Sequence, residues 1–355
     1  MKETVLFNYS LNKYDDQEVW DLIGTDHSAG LFQISSPTYK KRMPKLKPQS
    51  IKELANCLAL IRGPAISSGM DQLYIDIING EKKPIMIHPF YDNATKGTHG
   101  VLIYQEQLME IAVNFGLSLE EGYALMKAAA KKKFNVLEGY KEQFYSHPDV
   151  DKKSVEKIFE LVVNAGQYLF NSSHAVCYAL LTYASAWYKT YYKVDFYKNL
   201  LTNAYDRKNY DEAYEVHKEL KTEKIKVLNP DINQSRWECT KEDNAIRIGF
   251  VALKNVGEDA AMHIQELQPI EDYSDFQERK TNKICNKRAA ASLVFAGAFD
   301  SINKDRSEVI REFYQAHKTK KDPEFDSLKV YKITTKSIID LSKGNKHYEK
   351  MVMSK

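Results

Sequence analysis

The chain is short of cysteine. Its four, Cys57, Cys177, Cys239 and Cys285, stand far apart. With no C-x-x-C pair and no histidine at zinc-finger spacing, they exclude both a zinc module and a disulfide framework. Free thiols in a reducing compartment follow. Long apolar runs are missing too: "MKETVLFNYSLNKYDD" has no signal-peptide core. The longest uncharged stretch, "SSHAVCYALLTYASAWY", falls short of the ~20 apolar residues of a spanning helix. A membrane is not an expected partner, and a cytoplasmic location is. Nor does one sign of charge dominate. Lys and Arg number 51 against 48 Asp and Glu, a net charge of +3, so a nucleic-acid surface must arise from local clustering. The phosphate loop G-x-x-x-x-G-K-[ST] and the elbow G-x-S-x-G are also missing, which removes the P-loop and α/β-hydrolase chemistries.

What is present is helix. With 355 residues and 43% hydrophobic composition, the chain can bury more than one core, since single domains mostly run ~100–200 residues. After a polar, acidic start, "GLFQISSPTYKKRMPKLKP" reads as a short apolar run entering a Pro- and Lys-rich loop. Apolar residues at three and four spacing then predict helices over 51–61, 104–115, 118–133, 154–168 and 173–192, separated by Gly and Pro breaks. Beyond 220 the texture changes. "KIKVL", "SRWECT" and "AIRIGF" read as short strands, and "VALKNVGEDAAMHIQEL" and "KRAAASLVFAGAFD" as short helices joined by Gly turns. A boundary near 225 and a charged tail from 316 are expected.

Four motifs carry candidate chemistry, each beside a plainer alternative. Ser118 and Glu121 form a capping box that starts a helix near Leu119. From there Tyr123, Lys127 and Lys131 share one stripe, and Leu119, Tyr123, Met126 and Ala130 can line an apolar one. Three alanines would admit a close partner. The lysines can neutralise phosphate, or simply complement the negative end of the helix dipole. "NSSHAVCY" puts His174 and Tyr178 one turn apart at the start of an aromatic-rich helix, where free amides and rings suit a phosphate or a base; a cap or surface histidine is the alternative. Asp149 and Asp151 invite a two-metal reading, against which Asp151 sits where a helix cap belongs. "KNVGEDA" can be a helix-hairpin-helix turn gripping DNA phosphate through backbone amides, or an ordinary Gly cap.

Eight phrases in order resemble the alpha subunit of bacterial DNA polymerase III, the C-family replicative polymerase: "AGLFQISS", "ALIRGPAISSGMDQLYI", "HGVLIYQEQLMEIA", "LMKAAAKKK", "FNSSHAVCYALLTYASAWYKTYY", "PDINQS", "IRIGFVALKNVGE" and "LVFAGAFD". They run from about residue 20 to 315. The resemblance implies a mainly α fold: a palm-to-fingers junction over 1–25, a multi-helix fingers domain over 26–225, a small β element with a tandem helix-hairpin-helix domain over 226–315, and a charged tail over 316–355. The family's catalytic carboxylates lie in a palm whose phrases do not occur between Met1 and Gly30, and Asp149 and Asp151 have no catalytic role in the family. The expectation is therefore one chain of a split or fragmentary polymerase, inactive alone, with Mg2+ held by a palm in another chain.

The same resemblance assigns nucleotide binding to Lys127, Lys131, Lys132, Ser173, His174, Tyr178 and Arg62, and DNA binding to Lys40, Lys41, Arg42, Lys133, Lys254, Asn255 and Gly257. Met126 and Lys127 replace an arginine pair of the family's phrase, Ser172 replaces a lysine, and Asn255 stands where the family often has Gly. Each lost charged contact would cost ~1.5–3 kcal/mol. The expected partners are primer-template DNA, dNTP and a palm-containing polymerase chain; a sliding clamp is a further one, without a recognisable docking peptide. The alternative function is a non-catalytic, polymerase-derived DNA-binding or decoy protein, and the plainest is a gene remnant without activity.

Overall fold

The computed structural model describes residues 14–317, so most of the charged tail and half of the expected junction lie outside the described residues. Among the described residues, seventeen α-helices and a three-stranded sheet form two compact units that divide after Tyr191. The first unit contains α1 (Gln17–Ile23), α2 (Pro37–Leu46), α3 (Ile51–Leu60), α4 (Gly63–Ser67), α5 (Met70–Ile78), α6 (Pro89–Thr95), α7 (Gln105–Asn114), α8 (Leu119–Ala130), α9 (Phe134–Tyr145), α10 (Lys152–Ala165) and α11 (Ser172–Tyr191).

Helix α11 is the spine of this unit. Its buried face, Ala175, Ala179, Thr182, Tyr183, Ala186 and Trp187, alternates small residues with rings. The alanines let α3 approach closely, while Tyr183 meets Trp20 of α1 at 4.8 Å. A second tie is polar. Lys189 is fully buried and donates to the carbonyls of His27 and Ala29 at 2.8 and 2.9 Å, which satisfies a desolvated ammonium and holds the "HSAGLF" loop on the helix. Across the core, buried Asn56 donates to the Tyr74 hydroxyl and the Gly97 carbonyl and accepts from the Tyr104 hydroxyl.

One segment read as a loop is helical. Pro37 stands at the first position of α2, where its fixed φ suits a helix start, and Pro44 falls in the last turn. Pro37 is thus placed where a helix tolerates it, whereas Pro44 lies inside α2 and has no N–H to donate to the Lys40 carbonyl.

The second unit contains α12 (Lys193–Asp206), α13 (Tyr210–Thr222), β1 (Lys226–Leu228), β2 (Thr240–Glu242), β3 (Ala245–Arg247), α14 (Glu258–Leu267), α15 (Tyr273–Arg279), α16 (Lys287–Ala296) and α17 (Arg306–Ala316). The sheet order is β1-β3-β2, with Val227 opposite Ile246 in the parallel pair and Lys241 opposite Ile246 in the antiparallel one. The change from helix to strand near 225 lies inside this unit. Its helices are bound to the sheet region: the Thr202 hydroxyl accepts from the Cys239 amide at 3.1 Å, and Lys241 pairs with Asp195 at 2.8 Å.

The strand expected over "SRWECT" begins only at Thr240. The Arg236 and Trp237 carbonyls instead accept from the Phe250 and Val251 amides, so the segment lies against a 3-10 turn rather than a neighbouring strand. Beyond it, α14 to α17 close over a core of Phe250, Phe276, Phe299 and Phe313, among others.

Candidate nucleotide and nucleic-acid interface

Seven residues of the first unit line a cleft of about 240 Å³: Gln33, Tyr39, Leu58, Arg62, Phe170, His174 and Tyr178. Three of them are sequence candidates, and the fold brings them together. Rings run unbroken along one side. Phe32 meets Tyr178 at 5.2 Å, Tyr178 meets His174 at 4.0 Å, His174 meets Phe170 at 5.4 Å, and the Arg62 guanidinium lies 4.3 Å from the Phe170 centroid. Arg62 is less free than its charge suggests. It precedes α4, donates to the Ala59 carbonyl at 2.6 Å and also to the Tyr168 carbonyl. Burial draws its pKa down, though a guanidinium stays charged. Burial likewise pushes the Tyr39 hydroxyl up to about 12, so it remains a neutral donor.

The start of α11 departs from the expectation of free amides. The Ser172 amide donates to both Glu106 oxygens at 3.2 and 3.1 Å, the Asn171 side-chain amide donates to Glu106 at 2.8 Å, and the His174 amide donates to the Asn171 side chain at 2.8 Å. A carboxylate already occupies the place of a phosphate. Ser173 and His174 are exposed and Tyr178 half-buried, so what this helix end offers is a hydroxyl and rings. The segment ahead of it is strapped to α7: the Phe170 amide donates to the Ile103 carbonyl and the Gln105 amide to the Phe170 carbonyl, each at 2.9 Å. That strap sets Phe170 between Arg62 and His174.

Helix α8 begins as its capping box requires, with Ser118 and Glu121 bonded reciprocally at 3.2 and 2.7 Å. Its apolar stripe is not the expected one. Leu119 is 66% and Tyr123 47% exposed, Ala130 is exposed as well, and the buried face is Gly122, Leu125, Met126, Ala128 and Ala129. The alanines meet Gly166 at the end of α10, where a Cβ would run into the Ala129 and Ala130 backbone. Met126 is 6% exposed, so its side chain belongs to the core and position 126 presents nothing to phosphate in this fold.

Lys127 lies over the Tyr123 ring at 4.2 Å. The helix then closes with Lys132 left-handed (φ 52) and with the Lys132 and Lys133 amides on the Ala129 and Ala128 carbonyls at 3.2 and 3.0 Å, a Schellman end with lysine where glycine is usual. Lys131, Lys132 and Lys133 are exposed, without a side-chain ion pair among the described residues. Gly166 touches this end and Tyr168 holds Arg62. At most ~3.6 Å of chain per residue therefore brings the α8 terminus within about 16 Å of the Arg62 guanidinium.

Residues 2–149 match the profile of the bacterial DNA polymerase III alpha subunit finger domain, and residues 224–309 match a helix-hairpin-helix motif. DNA polymerase III subunit alpha of Caulobacter vibrioides is 33% identical over 314 residues, covering 86% of this chain and 27% of that protein. The Aquifex aeolicus protein of the same name is 31% identical over 313 residues, with 86% and 27% covered. That of Staphylococcus epidermidis is 29% identical over 326 residues, with 89% and 30% covered. This chain belongs to the DNA polymerase III alpha family. It spans a little over a quarter of the length of the relatives it matches.

Within this DNA polymerase III alpha relative, the remaining candidates divide. Arg42 is committed to the fold: its Nε donates to the buried Asp71 carboxylate at 2.6 Å. Of its remaining N–H groups, one donates to the Thr38 carbonyl at 3.4 Å. Lys41 is exposed and Lys40 half-buried on the same helix. In the second unit, Lys254, Asn255 and Gly257 form the exposed turn before α14, with Asn255 left-handed at φ 66 and its side-chain amide 3.4 Å from the Ser292 hydroxyl. No side chain caps α14, and Glu258 and Asp259 fill its first turn. Asp151 caps α10, accepting from the Ser154 amide at 3.1 Å, and the Ser154 hydroxyl together with that amide holds its carboxyl below the usual range. It is thus used as a cap. No group of three His, Cys, Asp or Glu residues suited to a metal ion occurs among the described residues, so the residues here do not fit a magnesium pair.

Proposed function

We propose that this chain serves DNA replication as the fingers and duplex-gripping part of a C-family DNA-directed DNA polymerase, with dNTP and primer-template DNA as ligands. The observation that carries the reading is the unbroken strip of Tyr178, His174, Phe170 and the Arg62 guanidinium on one cleft, with Phe32 packed on Tyr178. Stacking on such a strip contributes ~1–3 kcal/mol per base. At about 240 Å³ the cleft is smaller than the roughly 300 Å³ at which whole-ligand pockets begin. It therefore takes a base and leaves the phosphates outside, toward Lys127, Lys131 and Lys132. Lys133 and Lys41 serve the nucleic-acid backbone, and the turn at Lys254, Asn255 and Gly257 serves duplex phosphates. In the reaction the primer 3'-hydroxyl attacks the α-phosphate of the dNTP and pyrophosphate leaves; the carboxylates and Mg2+ are assigned to a palm outside the described residues.

Primer-template binding by the purified chain tests this. The expected affinity falls with salt, with a slope of log K against log salt of roughly −2 or steeper, as two or more neutralised duplex phosphates require. Absent or salt-independent binding would overturn the reading.

A further inference from the structure

Glu106 stands at two helix ends at once. It lies in the first turn of α7, and its carboxylate accepts from the Ser172 amide and the Asn171 side chain at the start of the 20-residue α11. Both ends are positive, and both would otherwise attract an anion. His174 of the cleft follows Ser172 by two residues, and Phe170, two residues before Ser172, is tied to the same α7 terminus by its backbone. The backbone strap and the carboxylate together hold this segment, and the carboxylate offsets the positive helix end beneath it.

We propose that Glu106 is a positioning residue that sets the polarity of nucleotide binding. By filling the α11 terminus with its own negative charge it shuts phosphates out of that end, so that a nucleotide enters with its base on the Phe170, His174 and Tyr178 rings and its phosphates at the α8 lysines. This inference rests on the function proposed above. The chemistry is simple competition: a phosphate reaching the Ser172 amide must displace a carboxylate that three hydrogen bonds hold, or lie against it in a partly desolvated place where like charges are poorly screened. Glutamine at 106 keeps the size and one acceptor oxygen but loses the charge. Aspartate keeps the charge on a shorter stem.

The test uses the full chain, inorganic tripolyphosphate as probe, and titration calorimetry at low salt without divalent metal. Lys127→Ala/Lys131→Ala is the background. On it, adding Glu106→Gln is expected to tighten tripolyphosphate binding at least tenfold, because the helix end is opened. Adding Glu106→Asp is expected to leave binding weak. A purely structural role would lower thermal stability in both variants and change anion binding in neither; that result, or an equal gain in both, overturns the proposal. Should the Gln variant fail to fold, Glu106→Ser, which also removes the charge, is read against the same two outcomes. The failure of the parent reading is distinct: it appears when the lysine pair alone, with Glu106 intact, leaves dATP affinity unchanged.

Discussion

The C-terminus of α8 and the N-terminus of α11 lie in the same unit and treat charge in opposite ways. The α8 end carries Lys131, Lys132 and Lys133 exposed and without a carboxylate, whereas the α11 end has its amides filled by Glu106 and Asn171. The first is an adaptable cationic edge. The second is a rigid mount for rings. The difference teaches that a helix end which attracts anions in isolation need not be an anion site in a fold, because a residue 66 positions away can reach it first.

The comparison is broken most severely at Gly166, where the two ends are coupled. Gly166→Ala sets a methyl against the Ala129 and Ala130 backbone, which must shift. Overpacking of this kind costs ~1–3 kcal/mol. Denaturant unfolding should show that loss together with weaker dATP binding, and a variant of wild-type stability would show that α8 and the Phe170 segment are not in register through this glycine.

At the α11 end, Asn171→Ala removes the acceptor of the His174 amide and a donor to Glu106. A lost cap costs ~0.5–2 kcal/mol, read as a lower unfolding midpoint. No change would mean that the mount is held by the backbone strap alone. At the α8 end, Lys132→Gly relieves a left-handed lysine and should raise stability by about 0.5–1 kcal/mol. A loss of stability would show that the Lys132 side chain packs to a purpose that its exposure does not suggest.

Legibility followed distance along the chain. The Ser118–Glu121 box and the Asp151 cap join residues three apart, and both can be read from spacing alone. Asn171 ahead of "SSHA" was a readable cap signal as well, and it argues against free amides there. Glu106 was not readable as its partner, because nothing in spacing links α7 to α11. The α8 stripe differs from the spacing for a tertiary reason: Ala128 and Ala129 are buried, with Ala129 packed on Gly166, which leaves Leu119 and Tyr123 outside. Of the candidate residues, Arg62, His174 and Tyr178 converge on one cleft, joined by Phe170, which periodicity does not single out. Arg42 is diverted to Asp71, a buried acid whose need for a partner no local pattern announces.

The central claim is that the ring strip and the lysine edge act on one nucleotide. Its most direct test is dATP affinity measured for the wild-type chain, for Tyr178→Ala and for Lys127→Ala/Lys131→Ala. Loss of the ring should cost ~1–3 kcal/mol and loss of the lysine pair ~1.5–3 kcal/mol, each seen as a five- to hundredfold weaker Kd. An unchanged Kd in either variant would contradict the account.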